Sequence, residues 1–189
     1  MVFDKFVNIF VPEKKCISLD KRIIEKYTNI VPQTLIDLWF EKGVGKYGDG
    51  IIELINPEDY RTTLENWLGK KVPNYTPLML SAFGDLFYYR KLSEDSEDVC
   101  CIDPHARTIN VCSWSLSSFF NRYLASVEII DTKLRKELFN DSIKKLGTIE
   151  PGQIFIFAPA LCMGGVEKVE NISKGNALVQ LDLLFQMRA

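Results

Sequence analysis

Apolar positions along this chain switch between two periods, and the switches predict an alternating order of helices and strands. Ser18 or Asp20 is placed to cap a short helix that buries Ile23, Ile24 and Tyr27. Pro32 suits the first turn of the next helix, whose apolar face is Leu35, Ile36, Trp39 and Phe40 and which stops at Gly43. Ile51 to Ile55 is a strand. Asn56 caps a further helix, with Glu58 and Asp59 near its positive end and Tyr60, Leu64, Trp67 and Leu68 at helical spacing. Pro73 and Pro77 mark a loop. Leu78 to Ala82 and Leu86 to Tyr89 then read as strands on either side of a Phe83-Gly84-Asp85 turn.

Val99 to Thr108 predicts a hairpin in a definite register. Pairing Asp103 with Thr108 across the loop Pro104 to Arg107 sets Ile102 against Ile109 and Cys100 against Val111, all on one side. Val99, Cys101, Asn110 and Cys112 fall on the other, so one face is wholly apolar and the other mixed. Leu116, Phe119, Phe120, Tyr123 and Leu124 then follow helical spacing, with Ser113 or Ser115 as cap. Asp131 is expected to start another helix that buries Leu134, Leu138, Phe139, Ile143 and Leu146 and ends at Gly147 and Pro151. Ile154 to Phe157 is a short strand, and Ala158 to Gly165 an apolar loop with a flexible Gly164-Gly165 end. In the tail from Asn176 to Met187 the spacing of Leu178, Leu181 and Leu184 favours helix over strand.

The glycines of GVGKYGDG (Gly43 to Gly50) change the functional picture. Gly43, Gly45 and Gly48 fit the G-x-G-x-x-G spacing that elsewhere cradles a pyrophosphate. That chemistry needs a strand before the glycines and a helix after them, so that helix N–H groups meet the phosphate. Here a helix precedes and a strand follows, which makes the segment a helix stop and a turn. No cofactor is expected.

Composition narrows the class. The 189 residues, 47% hydrophobic and 25% charged, suffice for one large domain or two small ones sharing a core. A net charge of −2 argues against nucleic acid as a direct partner. No apolar run approaches the roughly 20 residues of a membrane span. Met1 to Lys15 lacks the basic start and long apolar stretch of a signal peptide, so a cytoplasmic location is expected. The five cysteines (Cys16, Cys100, Cys101, Cys112 and Cys162) are odd in number and irregular in spacing, and read as reduced thiols.

His105, the single histidine, sits in a hairpin loop where a polar residue is expected anyway, and no orienting partner or oxyanion site accompanies it. Zinc ligation by Cys101, His105 and Cys112 lacks the usual C-x₂₋₄-C spacing. The chain is therefore read as non-enzymatic and metal-free. Asp85, Glu94, Asp95, Glu97, Asp98 and Asp103 make the segment from Asp85 to Asp103 strongly acidic. Such a run is either a solvated loop or a contact surface for a basic partner. Tyr88 and Tyr89 are adjacent in a strand, so one ring is expected to face outward as an interface anchor.

Three segments carry a family resemblance. LIDLWFEKGVGKYGDGIIELINPEDY (Leu35 to Tyr60) and AFGDLF (Ala82 to Phe87) resemble the GAD-related domain of bacterial toxin-immunity proteins. PALCMGGVEKVENI (Pro159 to Ile172) resembles the C-terminal domain of immunity proteins against type VI secretion DNase toxins. The resemblance runs from about Leu35 to the C-terminus and implies a mixed α+β fold with a mainly antiparallel sheet packed with helices. It implies a GAD-related domain over 1–112 and a smaller, mostly helical domain over 113–189 sharing its core. It also implies an immunity protein that occludes a cognate secreted toxin stoichiometrically. That toxin is expected to be a basic nuclease. Gly43, Gly45, Gly48, Asp49, Gly50, Gly84, Gly164 and Gly165 are expected to shape the chain. Asp85, Tyr88, Tyr89, Glu94, Asp95, Glu97 and Asp98 are the expected toxin contacts. An SMI1/KNR4-like regulatory binding module, with no toxin partner, is the alternative.

Overall fold

The computed structural model describes residues 3–187. Helices α1 (Asp4–Ile9), α2 (Lys21–Tyr27) and α3 (Gln33–Glu41) precede a hairpin of β1 (Gly45–Tyr47) and β2 (Ile52–Leu54). Helix α4 (Pro57–Leu68) leads into β3 (Tyr75–Ser81), β4 (Leu86–Lys91), β5 (Glu97–Asp103) and β6 (Thr108–Ser113). These six strands form one antiparallel sheet in sequence order. The remainder holds α5 (Leu116–Ser118), continued by a π-helical turn over Phe119–Tyr123, then α6 (Val127–Asp131) and α7 (Lys136–Leu146). Strands β7 (Gln153–Phe157) and β8 (Ile172–Asn176) pair antiparallel, and α8 (Ala177–Gln186) follows. The α+β class expected from the sequence is the fold observed.

Helices cover both faces of the large sheet, and this decides which side chains are buried. On one face Phe87, Tyr89, Val99 and Cys101 pack with Trp39, Phe119, Phe120 and Phe139. On the other, Leu86, Tyr88, Cys100 and Ile102 pack with Leu64, Trp67, Leu181 and Leu184 of α4 and α8. Strands buried on both sides read as continuous apolar runs, with no polar face to leave exposed. The expectation that Tyr88 or Tyr89 faces outward is thereby corrected: the rings are 1% and 3% exposed.

Local signals held where chain chemistry acts over a few residues. Asp20 caps α2 by accepting from Arg22 N–H, Asn56 caps α4 through Glu58 N–H, and Ser115 caps α5 through Ser118 N–H. The hairpin register is the one expected, with Cys100 opposite Val111, Ile102 opposite Ile109 and Asp103 opposite Thr108. The tail is helical, as α8.

Several boundaries differ for physical reasons. Phe40 is 71% exposed, while Leu38 is buried. At about 100° per residue Phe40 falls outside the arc that Leu35, Ile36, Leu38 and Trp39 turn inward. Pro77 lies inside β3, at a register shift between Pro77 and Met79, where a residue without an N–H is tolerated. Asp131 ends a helix where it was expected to start one. The chain turns over residues 132–135, Arg135 adopts a left-handed conformation (φ 51°), and the long helix begins at Lys136. Strands β1 and β8 have three and five residues, and the sequence pattern does not announce them.

The glycine segment is a β turn. Gly48, Asp49 and Gly50 all have positive φ and link β1 to β2. Gly43 does more than stop α3. A side chain there would stand 2.6 Å from the Ile17 carbonyl oxygen, and the Ile17–Val44 bridge that brings the N-terminal strand segment onto the sheet needs that space.

Candidate functional site

The expected acidic surface separates into groups of different kinds. Glu94 and Asp95 are exposed on the turn between β4 and β5. Glu97 is half-buried: one carboxylate oxygen accepts from Tyr89 Oη at 2.9 Å and the other from Leu116 N–H at 2.8 Å. Asp98 is fully buried and gripped by Arg90, with Nε donating to Oδ1 at 2.7 Å and Nη2 to Oδ2 at 2.5 Å. Asp85 is fully buried as well. Asp85, Tyr88, Tyr89 and Asp98 are thus structural residues, not surface contacts. Fixed partners claim the two aspartates, and both faces of the sheet are covered.

Asp85 anchors an ionic network between the two halves of the chain. The AFGDLF turn closes on Ser81, whose hydroxyl donates to Asp85 Oδ2 at 2.6 Å and accepts from Asp85 N–H at 3.0 Å. Gly84 takes φ 91° there, and a Cβ would meet Ile154 Cδ1 at 2.9 Å. Lys133 Nζ lies 2.6 Å from Asp85 Oδ1 and 2.7 Å from Asp103 Oδ2. Arg135 reaches Asp85 Oδ2 at 3.4 Å and Glu167 at 3.0 Å, and lies over the Phe83 ring. Burial pulls the Lys133 pKa down, but the Asp85 and Asp103 carboxylates outweigh it and hold the ammonium charged. For Asp103, burial opposes ionisation, while the Ala106 N–H and Lys133 favour it and win, so its pKa falls.

His105 belongs to the same region. Its Nε2 is 2.7 Å from the Phe83 carbonyl, its ring meets Phe157 edge-on, and its Nδ1 is buried with no partner. Burial holds its pKa below the ordinary 6.5. The ring is a core residue that ties one hairpin turn to another, although its position suggested only an ordinary polar loop residue. Cys101 is buried, which pushes its thiol pKa well up, away from nucleophilic use. All five cysteines are free thiols. Among the described residues no cluster of three or more His, Cys, Asp or Glu side chains is placed to hold a metal ion.

A second feature escaped the sequence entirely. A cleft of about 690 Å³ opens where residues 15–20, β2 and the start of α4 meet the second half of the chain at Pro151, Gly152, Asn176 and Leu178. Its walls include Ile17, Leu19, Ile23, Leu54, Tyr60 and Leu178, and its acids are Asp20, Glu53 and Asp59. Beside it, Lys46 and Glu53 are paired across β1 and β2 at 2.7 Å with side chains only 2% and 8% exposed. Lys46 Nζ also donates to Gln153 O at 2.8 Å, and Gly152 N–H donates to Glu53 Oε1 at 2.8 Å. Burial lowers the Lys46 pKa, with Glu53 opposing that shift. Lys46 and Glu53 are in sequence merely a polar pair in a turn-rich segment. Only their partners 100 residues on show that they fasten the halves together.

The architecture is a two-faced antiparallel sheet locked to a helical second half by buried ion pairs. The chain belongs to the GAD-like domain family, whose model matches residues 1–102. Residues 114–188 match the model described as T6SS immunity protein Tdi1, C-terminal. The first match begins at residue 1, so it takes in the N-terminal helices that lay outside the resemblance starting at Leu35. Among solved structures, the chain is similar to the one titled "Crystal structure of Atu4351 from Agrobacterium tumefaciens". The TM-score is 0.78 at 24% identity, over 97% of this chain and 88% of that one. That likeness speaks for the fold. No curated protein matches the chain. Among the described residues no helix is long and apolar enough to cross a membrane.

Proposed function

We propose that this protein is an immunity protein that binds a cognate secreted toxin and neutralises it by stoichiometric occlusion in the cytoplasm. One observation carries this reading: a segment matching a type VI secretion immunity domain is built into one core with the GAD-like half. The region around His105 and Cys101 favours binding over turnover, because packing occupies both side chains. The toxin is a nuclease with a basic nucleic-acid surface, and Glu94 and Asp95 are the exposed acids of the β4–β5 turn that steer it. The 1–112 and 113–189 halves act as one binding unit, since cutting between them would strand the buried charge of Asp85, whose cations Lys133 and Arg135 lie in the second half.

Co-expression with the product of the neighbouring gene, followed by co-purification and a growth-rescue assay, tests this reading. A stable complex that restores growth is the expected result. A toxic neighbour that neither binds nor is relieved would refute it.

A further inference from the structure

Two thiols share one face of the large sheet at its open edge. Cys101 on β5 is buried, and Cys112 on β6 is half-buried. β6 is the outermost of the six strands. Its register with β5 shifts: Cys100 faces Val111 but Val99 faces Ser113, so Cys112 is an extra residue with nothing opposite it. Both thiols turn towards the face that carries Phe119 and Phe120, whereas Cys100 packs on the other face. There the Cys101 S–H and the Tyr123 O–H both donate to the Cys112 sulfur. Cys16, by contrast, donates to the Lys46 carbonyl. The bond from Cys101 lowers the Cys112 pKa, burial opposes it, and the bond from Tyr123 adds to the lowering. A half-buried sulfur with thiolate character at a strand edge is a nucleophile. A second thiol in hydrogen-bond contact with it is placed to close a disulfide.

We propose that Cys101 and Cys112 are a dithiol that a low-molecular-weight disulfide of the glutathione class oxidises to an intramolecular disulfide. The Cys112 thiolate attacks one sulfur of the oxidant, the oxidant's S–S bond breaks, and one thiolate leaves. Cys101 then attacks the Cys112 sulfur of the mixed disulfide, and the second thiol leaves with the Cys101 proton. Two protein thiols are oxidised and one small disulfide is reduced to two thiols. Burial keeps Cys101 from starting the exchange, but its attack on a neighbouring mixed disulfide is intramolecular, and proximity offsets a small thiolate fraction. The unpaired bulge residue on an edge strand can shift to the short Cβ separation that the bond requires. The product ties the open-edge strand β6 to β5. In a reducing compartment the bond is transient, so the resting form is the dithiol.

The test uses the whole folded protein, with oxidised glutathione as the probe. The reaction is quenched in acid, remaining thiols are alkylated in denaturant, and intact and peptide masses are read. The wild type should become lighter by two hydrogens and keep two fewer alkylatable thiols than the five of the reduced chain. Cleavage after Arg107, which lies between the two cysteines, should leave their peptides joined. Dithiothreitol should restore all five thiols. Cys101→Ala should stop at one glutathione on Cys112, Cys112→Ala should leave Cys101 unmodified, and Cys100→Ala should still close the bond. The wild type alone decides whether the pair forms, so a variant that misfolds does not shield the proposal. A wild type that keeps five thiols, a bond between any other two cysteines, or a mixed disulfide that persists on Cys112 in the wild type would overturn it. So would a reaction seen only after urea has unfolded the chain.

Discussion

Lys133 places its ammonium 2.6 Å from the Asp85 carboxylate, joining the turn of the AFGDLF signature to the second half of the chain. Asp85 is fully buried, and the same ammonium serves Asp103. Breaking such a pair from one side strands a charge in the interior. Lys133→Met should therefore destabilise the fold by about 3–5 kcal/mol, read as a lowered midpoint in urea unfolding. A loss within the scatter of surface substitutions would mean that Asp85 finds its compensation in Arg135 alone.

Gly84 combines positive φ with a close neighbour. Gly84→Ala should cost about 1–3 kcal/mol from the backbone conformation, with a smaller further cost for moving the Ile154 Cδ1 end aside. Gly152 has φ 75° with open space around it, so Gly152→Ala isolates the backbone contribution. Thermal unfolding of the two variants should rank Gly84→Ala as the less stable.

His105 makes stability depend on pH. Its folded-state pKa lies below the ordinary 6.5, so the native state favours the neutral ring. The stabilisation is whole above pH 6.5. It declines as acidification protonates the unfolded ring first, down towards the lower folded-state pKa. With a single histidine in the chain, the decline between pH 6.5 and the carboxylate range reports this residue. His105→Gln should flatten it in unfolding experiments run at several pH values. An unchanged slope would contradict the buried neutral ring.

The acidic residues should divide by burial. Glu94→Lys with Asp95→Lys should leave the fold intact, slow association with the toxin and reduce its salt dependence. Asp98→Lys should prevent folding, because it sets a lysine against Arg90 in a fully buried site. Stopped-flow association at two salt concentrations and circular dichroism separate the two effects.

What the sequence made legible was local. Caps at Asp20, Asn56 and Ser115, the Asp103–Thr108 hairpin and the helical tail depend on residues a few positions apart. Burial of Tyr88, Tyr89, Asp85 and Asp98 depends on which elements cover the sheet, and a strand covered on both faces looks the same in sequence as one with an exposed aromatic. Arg135 and Lys133 read as ordinary helix positions until Asp85, about 50 residues earlier, demands their charge. The cleft brings together segments from both halves of the chain, such as Glu53 and Gly152, 99 residues apart, and its acids carry no spacing that would mark them. The glycine turns were legible as turns. That Gly43 also admits the Ile17 strand segment follows only from the packed structure.

Titrating the purified product of the neighbouring gene with this protein, while measuring the nuclease activity proposed for that product, tests the central claim most directly. Stoichiometric occlusion predicts that activity falls linearly and ends at a fixed molar ratio, unchanged by longer preincubation. Complete inactivation by a small fraction of an equivalent, progressing with time, would contradict it and show that the protein acts by turnover.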